Sequence, residues 1–168
     1  MKNEYDHFID TIYGWGDRDW MNQFFDLLKR MFTSLGLNEA SPQLGMTVGK
    51  DKKLNINIGQ RWVVCPWGNE RVGLIFPMAA DENHYGCLLS GYFNDKKKNP
   101  EAKWVIYKWP AGTTFPEALY HQWEQACTDE LSRTKKTAYR KFHSDLFFDA
   151  VMKEELRNKI FDDTYNKK

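Results

Sequence analysis

The sequence predicts an α+β domain with an N-terminal helix, an antiparallel meander of about five or six strands, and C-terminal helices packed on one sheet face. Two patterns predict this class: apolar residues recur at helical spacing at both ends of the chain, and they alternate with polar residues in the middle. The length supports it, because 168 residues are enough for a single domain, residues 1–168, with its own hydrophobic core.

The N-terminal part of the chain is predicted to be helical. Residues 5–13 form a short apolar-periodic stretch, which Gly14 and Gly16 interrupt. A longer helix is predicted over DWMNQFFDLLKRMFTSLG, with Asp17 or Asp19 as its N-terminal cap. Gly36 is placed to end this helix, since glycine adopts the left-handed conformation that a helix end often requires.

The middle of the chain is predicted to form the sheet, because the apolar period changes to two from residue 44. The segments LGMTVG and LNINIG flank KDKK, and RWVVCPW and RVGLIFP flank GNE, so both pairs are predicted hairpins. YGCLLSGYF and KWVIYKW complete the predicted strands. After a turn at residues 110–114, helical spacing resumes in FPEALYHQWEQACTDELSR and continues as one or two further helices.

Composition and charge exclude several classes of function. The net charge is +1, so no overall field draws the protein to nucleic acid or membrane. The three cysteines are far apart and form no CxxC pair, which predicts neither a disulfide framework nor a zinc site, and no cofactor is predicted. The polar N-terminus and the lack of a long apolar run lead us to expect a cytoplasmic protein without membrane contact.

The motifs favour a non-enzymatic protein. GMTVGKD resembles a phosphate-binding loop, but its spacing is one residue short and Asp51 stands where Ser or Thr would hold magnesium. Glu101 and Lys103, spaced as Glu-x-Lys before an apolar strand, match half of a metal-dependent nuclease site. A nuclease or other hydrolase that uses these two residues therefore stays open as an alternative.

Basic residues cluster in three places and predict contacts to phosphate, although lysines at turns also serve solubility alone. They surround aromatic-rich strands, which is the arrangement that a nucleic-acid surface needs. The predicted phosphate-contacting residues are Lys50, Lys52, Lys53, Arg61, Lys96, Lys97, Lys98, Arg133, Lys135, Lys136, Arg140 and Lys141.

The tryptophans of the third predicted strand raise the question of a binding pocket. Alternation places Trp62 and Trp67 on opposite sheet faces unless a β-bulge at Pro66 redirects the second. Trp62 is then the better candidate for the core and Trp67 for function. A pocket for a base would combine stacking with a few polar groups, and two-sided core packing is the alternative. The predicted pocket residues are Asn55, Asn57, Trp67, Tyr92, Tyr107 and Trp109.

Two segments resemble a known family. KLNINIGQRWVV followed by RVGLIFP resembles a segment of the domains that precede the motor in McrB-like, modification-dependent restriction systems, and YRKFHSDLFFDAVMKEELRNKIF is similar to their helical close. The resemblance implies a domain that binds DNA, often at a modified cytosine, beside a separate GTP-driven motor and a nuclease. It assigns no base-contacting residue in this chain.

Two functions follow as expectations. The first is a DNA-binding domain of a prokaryotic or phage defence system, which binds plain or modified DNA and works with a protein partner such as a motor or nuclease subunit. The second is a protein-interaction module, a small inhibitor or partner of another protein that can also act as a homodimer. Near-zero net charge with many aromatic residues is typical of protein interfaces and motivates the second.

Overall fold

The computed structural model describes residues 3–49, 51–59, 62–77, 88–89, 102–133 and 144–166. These residues form five helices and six strands. The helices are α1 (Glu4–Trp15), α2 (Arg18–Leu35), α3 (Glu117–Arg133), α4 (Asp145–Met152) and α5 (Glu154–Tyr165). The strands are β1 (Leu44–Val48), β2 (Leu54–Ile58), β3 (Trp62–Gly68), β4 (Arg71–Pro77), β5 (Leu88–Leu89) and β6 (Ala102–Lys108). The predicted α+β class is confirmed, with helices at both ends of the chain and an antiparallel sheet between them.

The N-terminal helices begin and end where local chemistry requires. The Asn3 side chain accepts a hydrogen bond from the backbone N–H of Asp6 at the start of α1. Asp17 caps α2 by accepting one from the N–H of Trp20 at 3.0 Å, so it is the cap among the two predicted aspartates. Gly36 ends α2 with a φ of 68°, as predicted from its position.

The six strands lie in the order β1-β2-β3-β4-β6-β5, and every neighbouring pair is antiparallel. The first four strands follow chain order as a meander. The last two exchange places, because β6 pairs with β4 over its whole length and β5 lies outside it.

The hairpin between β3 and β4 contains a β-bulge, which the sequence analysis gave as an alternative to regular alternation. Pro66 pairs with Val72 and Gly68 pairs with Arg71, so Trp67 is the extra residue. The two turn residues have positive φ angles, 54° at Asn69 and 60° at Glu70, as in the type I′ turn that matches the strand twist.

One sheet face packs against the helices, and we call it the helix face. Trp62 on this face donates its Nε1–H to the backbone oxygen of Ala126 in α3 at 3.0 Å. The ring of Phe76 meets the ring of Trp123 edge-on at 5.5 Å between centroids. Trp62 is therefore a core residue, and α3 is fixed on the sheet by one hydrogen bond and one aromatic contact.

The opposite sheet face is also buried, and we call it the far face. Its residues are Thr47, Asn55, Asn57, Val63, Cys65, Ile75 and Ile106, which the strand register places on one side. All but Asn55 are buried.

In the described part of the chain, no helix is long and apolar enough to cross a membrane.

Candidate functional site

Three polar side chains lie together on the far face, in strands β1 and β2. Thr47 pairs directly with Asn55, and Asn57 pairs with Gly45 on one side and with Val63 of β3 on the other. Directly paired residues of antiparallel strands share a face, so Thr47, Asn55 and Asn57 point to the same side. We call Thr47, Asn55, Asn57 and the adjacent Lys53 the far-face cluster.

Two polar atoms of this cluster are buried without a hydrogen bond. The exposed fraction is 8% for Thr47 and 4% for Asn57, and neither Thr47 Oγ1 nor Asn57 Oδ1 has a partner. An unsatisfied buried polar group costs about 1–3 kcal/mol, and native proteins keep few of them. Both atoms lie on the far face, because the strand register places Thr47 and Asn57 on that side.

Lys53 adds a positive charge beside this polar group. Burial raises the pKa of the Cys65 thiol to about 12, and the charge of Lys53 opposes that rise. Lys53 directly precedes β2, and its Nζ is 3.8 Å from Asp51 Oδ2. The thiol stays protonated at neutral pH, which makes Cys65 a poor nucleophile.

The turn between β1 and β2 presents Lys52 and Lys53, and α1 holds it in place. The Gly49 N–H donates to the oxygen of Lys53 at 2.7 Å, and the Lys52 N–H donates to the oxygen of Gly49 at 3.0 Å. From α1, His7 Nε2 donates to Gly49 O at 2.8 Å and Trp15 Nε1 donates to Lys52 O at 2.5 Å. Lys52 has a φ of 62°, a left-handed conformation that non-glycine residues adopt rarely.

Two of the predicted aromatic pocket residues, Tyr107 and Trp109, pack against Phe115 and not against the far-face cluster. Tyr107 lies on the helix face, and its ring contacts Phe115 at 5.5 Å. Trp109 is buried, its ring 5.1 Å from Phe115, and its backbone oxygen accepts a hydrogen bond from Trp20 Nε1 at 2.8 Å. Trp67 is half-buried at the bulge. Of the predicted pocket residues, Asn55 and Asn57 share the far face.

Several predicted site residues lie outside the described residues. They are Lys50, Arg61, Tyr92, Lys96, Lys97, Lys98, Lys135, Lys136, Arg140 and Lys141, together with Glu101 of the nuclease-like pair. Arg133 is the last residue of α3 and Lys103 lies in β6, but their side chains are not described either. The roles predicted for all of these residues stay predictions.

Sequence reasoning missed three residues that shape this region: Thr47, His7 and Trp15. A signal existed for Thr47, since the alternation in LGMTVG places it on the side opposite Met46, the side that faces Asn55 across a hairpin. No local signal identified His7 or Trp15, because the turn that they hold lies 42 and 37 positions away in sequence.

The far-face cluster offers uncharged and positively charged groups that can take part in binding. It offers amide and hydroxyl groups for hydrogen bonds and lysines for an anionic group, and its thiol is protonated. Within the described ranges, no group of His, Cys, Asp or Glu side chains could hold a metal ion. Comparison with known proteins finds no matching family model, no matching curated protein and no matching solved structure.

Proposed function

We propose that this protein is a non-enzymatic DNA-binding domain of a prokaryotic or phage defence system. In this proposal Lys52 and Lys53 contact backbone phosphates, and the half-buried Asn55 beside them contacts a base edge. The observation that carries the proposal is the turn that α1 anchors through Trp15 and His7, because it places two exposed lysines next to a buried group of uncharged polar side chains.

The anchored turn supports the phosphate contacts. A lysine on a freely moving loop loses backbone and side-chain entropy when it binds, whereas the backbone of Lys52 is already fixed by Trp15. The left-handed φ of Lys52 also supports a functional turn, since backbone strain is often retained where it serves a function. Asparagine side chains bind base edges through paired donors and acceptors, which supports a contact role for the half-buried Asn55.

The salt dependence of binding tests the proposal. We expect wild-type protein to bind a DNA duplex, plain or carrying 5-methylcytosine, with an affinity that falls steeply as salt rises. In the double variant Lys52→Gln/Lys53→Gln the slope of log affinity against log salt should flatten by about two, because about one counterion is released per phosphate contact.

The matched control removes the same charge elsewhere. Lys153 and Lys159 are well exposed near and in α5, so Lys153→Gln/Lys159→Gln should leave the salt slope at the wild-type value. Fluorescence anisotropy over a range of salt concentrations measures both variants. A wild-type protein that binds no duplex, or binds with no salt dependence, contradicts the proposal.

The protein-interaction module remains the second candidate, and one observation favours it. Tyr13 of α1 is 68% exposed, and its ring lies 6.2 Å from that of Tyr165 in α5. Exposed tyrosines are common energetic centres of protein interfaces. Under this alternative, Tyr13→Ser abolishes capture of one stoichiometric protein partner, or self-association in sedimentation experiments, and no nucleic acid copurifies with the wild type.

A further inference from the structure

We infer that Trp15 is a positioning residue for anion binding: its indole N–H holds Lys52 in a left-handed backbone conformation, which presents the Lys52 ammonium to a phosphate group. The inference rests on the proposed function and adds to it the residue that acts through Lys52. Trp15 does not itself contact the phosphate in this role, because the backbone oxygen of Lys52 uses its donor.

Lys52 takes a position in its turn that usually belongs to glycine. Three residues separate Gly49 from Lys53, and Lys52 is the last of them. The turn is closed by the bond from the Gly49 N–H to the oxygen of Lys53, and Lys52 has a φ of 62°. In hairpin loops of this length the last residue is commonly left-handed, and glycine is favoured there because it has no β-carbon. A lysine at this position therefore strains the backbone.

No contact within the described structure accounts for a lysine at this position. The described non-glycine residues with positive φ are Lys52, Asn69 and Glu70. Asparagine adopts this conformation readily, and the Glu70 carboxylate accepts a hydrogen bond from the N–H of Ala111 at 2.8 Å. The side chain of Lys52 is exposed, and no described residue pairs with its ammonium. Backbone strain at a residue without an internal partner is typical of a residue that contacts a ligand.

Trp15 holds this conformation from outside the turn. Its Nε1 donates to the oxygen of Lys52 at 2.5 Å. Its ring lies against the neighbouring hairpin, because a β-carbon at Gly68 would be 3.8 Å from Trp15 Cζ3. Without the donor, the turn can populate conformations in which the Lys52 ammonium points elsewhere. The apparent affinity for an anion then falls with the fraction of molecules that remain competent to bind.

Trp15→Phe removes the donor and keeps both lysine charges of the turn. We expect the affinity for a DNA duplex to fall by up to about tenfold, the range that the loss of one hydrogen bond gives. The salt slope should stay at the wild-type value, because the number of phosphate contacts is unchanged. In the Lys52→Gln background the same change should have little further effect, since Trp15 acts through Lys52. A purely structural role would lower the affinity equally in both backgrounds and would overturn the inference.

Trp20→Phe is the matched control. Trp20 Nε1 also donates to a backbone oxygen, that of Trp109 at 2.8 Å, but it does so in the core. This variant should melt at a lower temperature than wild type and bind the duplex with wild-type affinity. A loss of affinity as large as that of Trp15→Phe would show that general destabilisation is the cause, and would overturn the inference.

A second pair of variants tests the strain at Lys52 and does not depend on Trp15. Lys52→Gly and Lys52→Gln both remove the charge, so both should flatten the salt slope by about one. Lys52→Gly alone relieves the left-handed strain, and it should melt at a higher temperature than Lys52→Gln. A glycine variant that melts at or below the temperature of the glutamine variant would show that this conformation costs nothing, which overturns the inference.

The experiment measures the melting temperature of each variant and its affinity for one DNA duplex by fluorescence anisotropy over a range of salt concentrations. If wild type binds with a steep salt dependence and Trp15→Phe binds with wild-type affinity, the inference fails while the proposed function stands. A Lys52→Gln variant that keeps the wild-type slope also overturns the inference, because Lys52 would then contact no phosphate. Failure of wild type to bind the duplex overturns both.

Discussion

The guanidinium of Arg157 joins three helices, α2, α4 and α5, from a position that is only 2% exposed. Its Nη1 contacts Asp26 Oδ1 at 2.5 Å, while Nε and Nη2 donate to the backbone oxygens of Ala150 at 3.2 Å and Val151 at 2.6 Å. Most of the donors of this buried charge are thereby used, and the two carbonyls at the end of α4 are satisfied.

We expect Arg157→Ala to lower the free energy of unfolding by about 3 kcal/mol, because it leaves buried carbonyl groups without donors and opens a cavity. Asp26→Asn is the control. Asp26 is 55% exposed and asparagine keeps an oxygen acceptor for Nη1, so this change should cost less than Arg157→Ala. Urea unfolding followed by tryptophan fluorescence measures both variants. If the two variants lose the same free energy of unfolding, the ion pair with Asp26, and not the hydrogen bonds to α4, accounts for the stabilising effect of Arg157.

At the scale of elements, the β3–β4 turn fastens the segment that follows β6. The backbone oxygen of Glu70 accepts a hydrogen bond from the N–H of Trp109 at 2.7 Å, and its carboxylate accepts one from the N–H of Ala111 at 2.8 Å. Lys108 Nζ donates to the oxygen of Asn69 at 2.7 Å. The turn thus sets the path of the chain between the sheet and α3, at the cost of a left-handed conformation at Glu70.

The two roles of Glu70 predict an order of stability. Glu70→Ala loses the bond to Ala111 and keeps the backbone strain, so it should cost about 1–2 kcal/mol. Glu70→Gly loses the same bond but relieves about 1 kcal/mol of strain, and should lie between wild type and Glu70→Ala. Equilibrium denaturation gives the order. An alanine variant more stable than the glycine variant would show that the positive φ at Glu70 costs nothing.

Local patterns were sufficient to identify the elements but not their pairing. Helical spacing predicted α2 and α3, and the alternation in LNINI predicted β2, because these signals depend only on neighbouring residues. The exchange of β5 and β6 could not be predicted, since it depends on pairing between strands that are far apart in sequence. The sequence raises the β-bulge at Trp67 only as an alternative to regular alternation. Proline at position 66 permits a bulge but does not require one.

The candidate site was less predictable than the fold, for a related reason. Residue type and strand parity predict Trp109 and Tyr107 as pocket residues, yet both contact Phe115, which lies in the turn before α3. Asn55 and Asn57 were chosen by the same alternation and do share a face. What the sequence could not indicate is that a buried atom lacks a partner, since this property of Thr47 and Asn57 depends on the whole surrounding structure.

At the scale of the whole molecule, several buried acidic groups are held in their neutral form. Burial raises the pKa of Cys65 and of Tyr120 to about 12, and it raises the pKa of Cys127 and of Tyr165 as well. Desolvation is the largest cause in each case, because the charged thiolate or phenolate would lose its hydration. The unfolded chain has no such constraint, so its thiols and phenols ionise at their ordinary values.

We therefore expect alkaline sensitivity. A raised folded-state pKa gives stability that is complete below the ordinary value, 9.0 for the Cys65 thiol, and is lost as pH rises toward its folded value of about 12. In this window the Cys65 thiol lowers the free energy of unfolding by about 1.4 kcal/mol per pH unit. Cys65→Val removes one such group, so its stability should fall less steeply than wild type between about pH 9 and pH 11. Guanidinium unfolding at several pH values gives the free energy of unfolding as a function of pH. The free energy of each protein at pH 7 is its own reference. Identical slopes for the two proteins would mean that the Cys65 thiol ionises equally well in the folded and unfolded states.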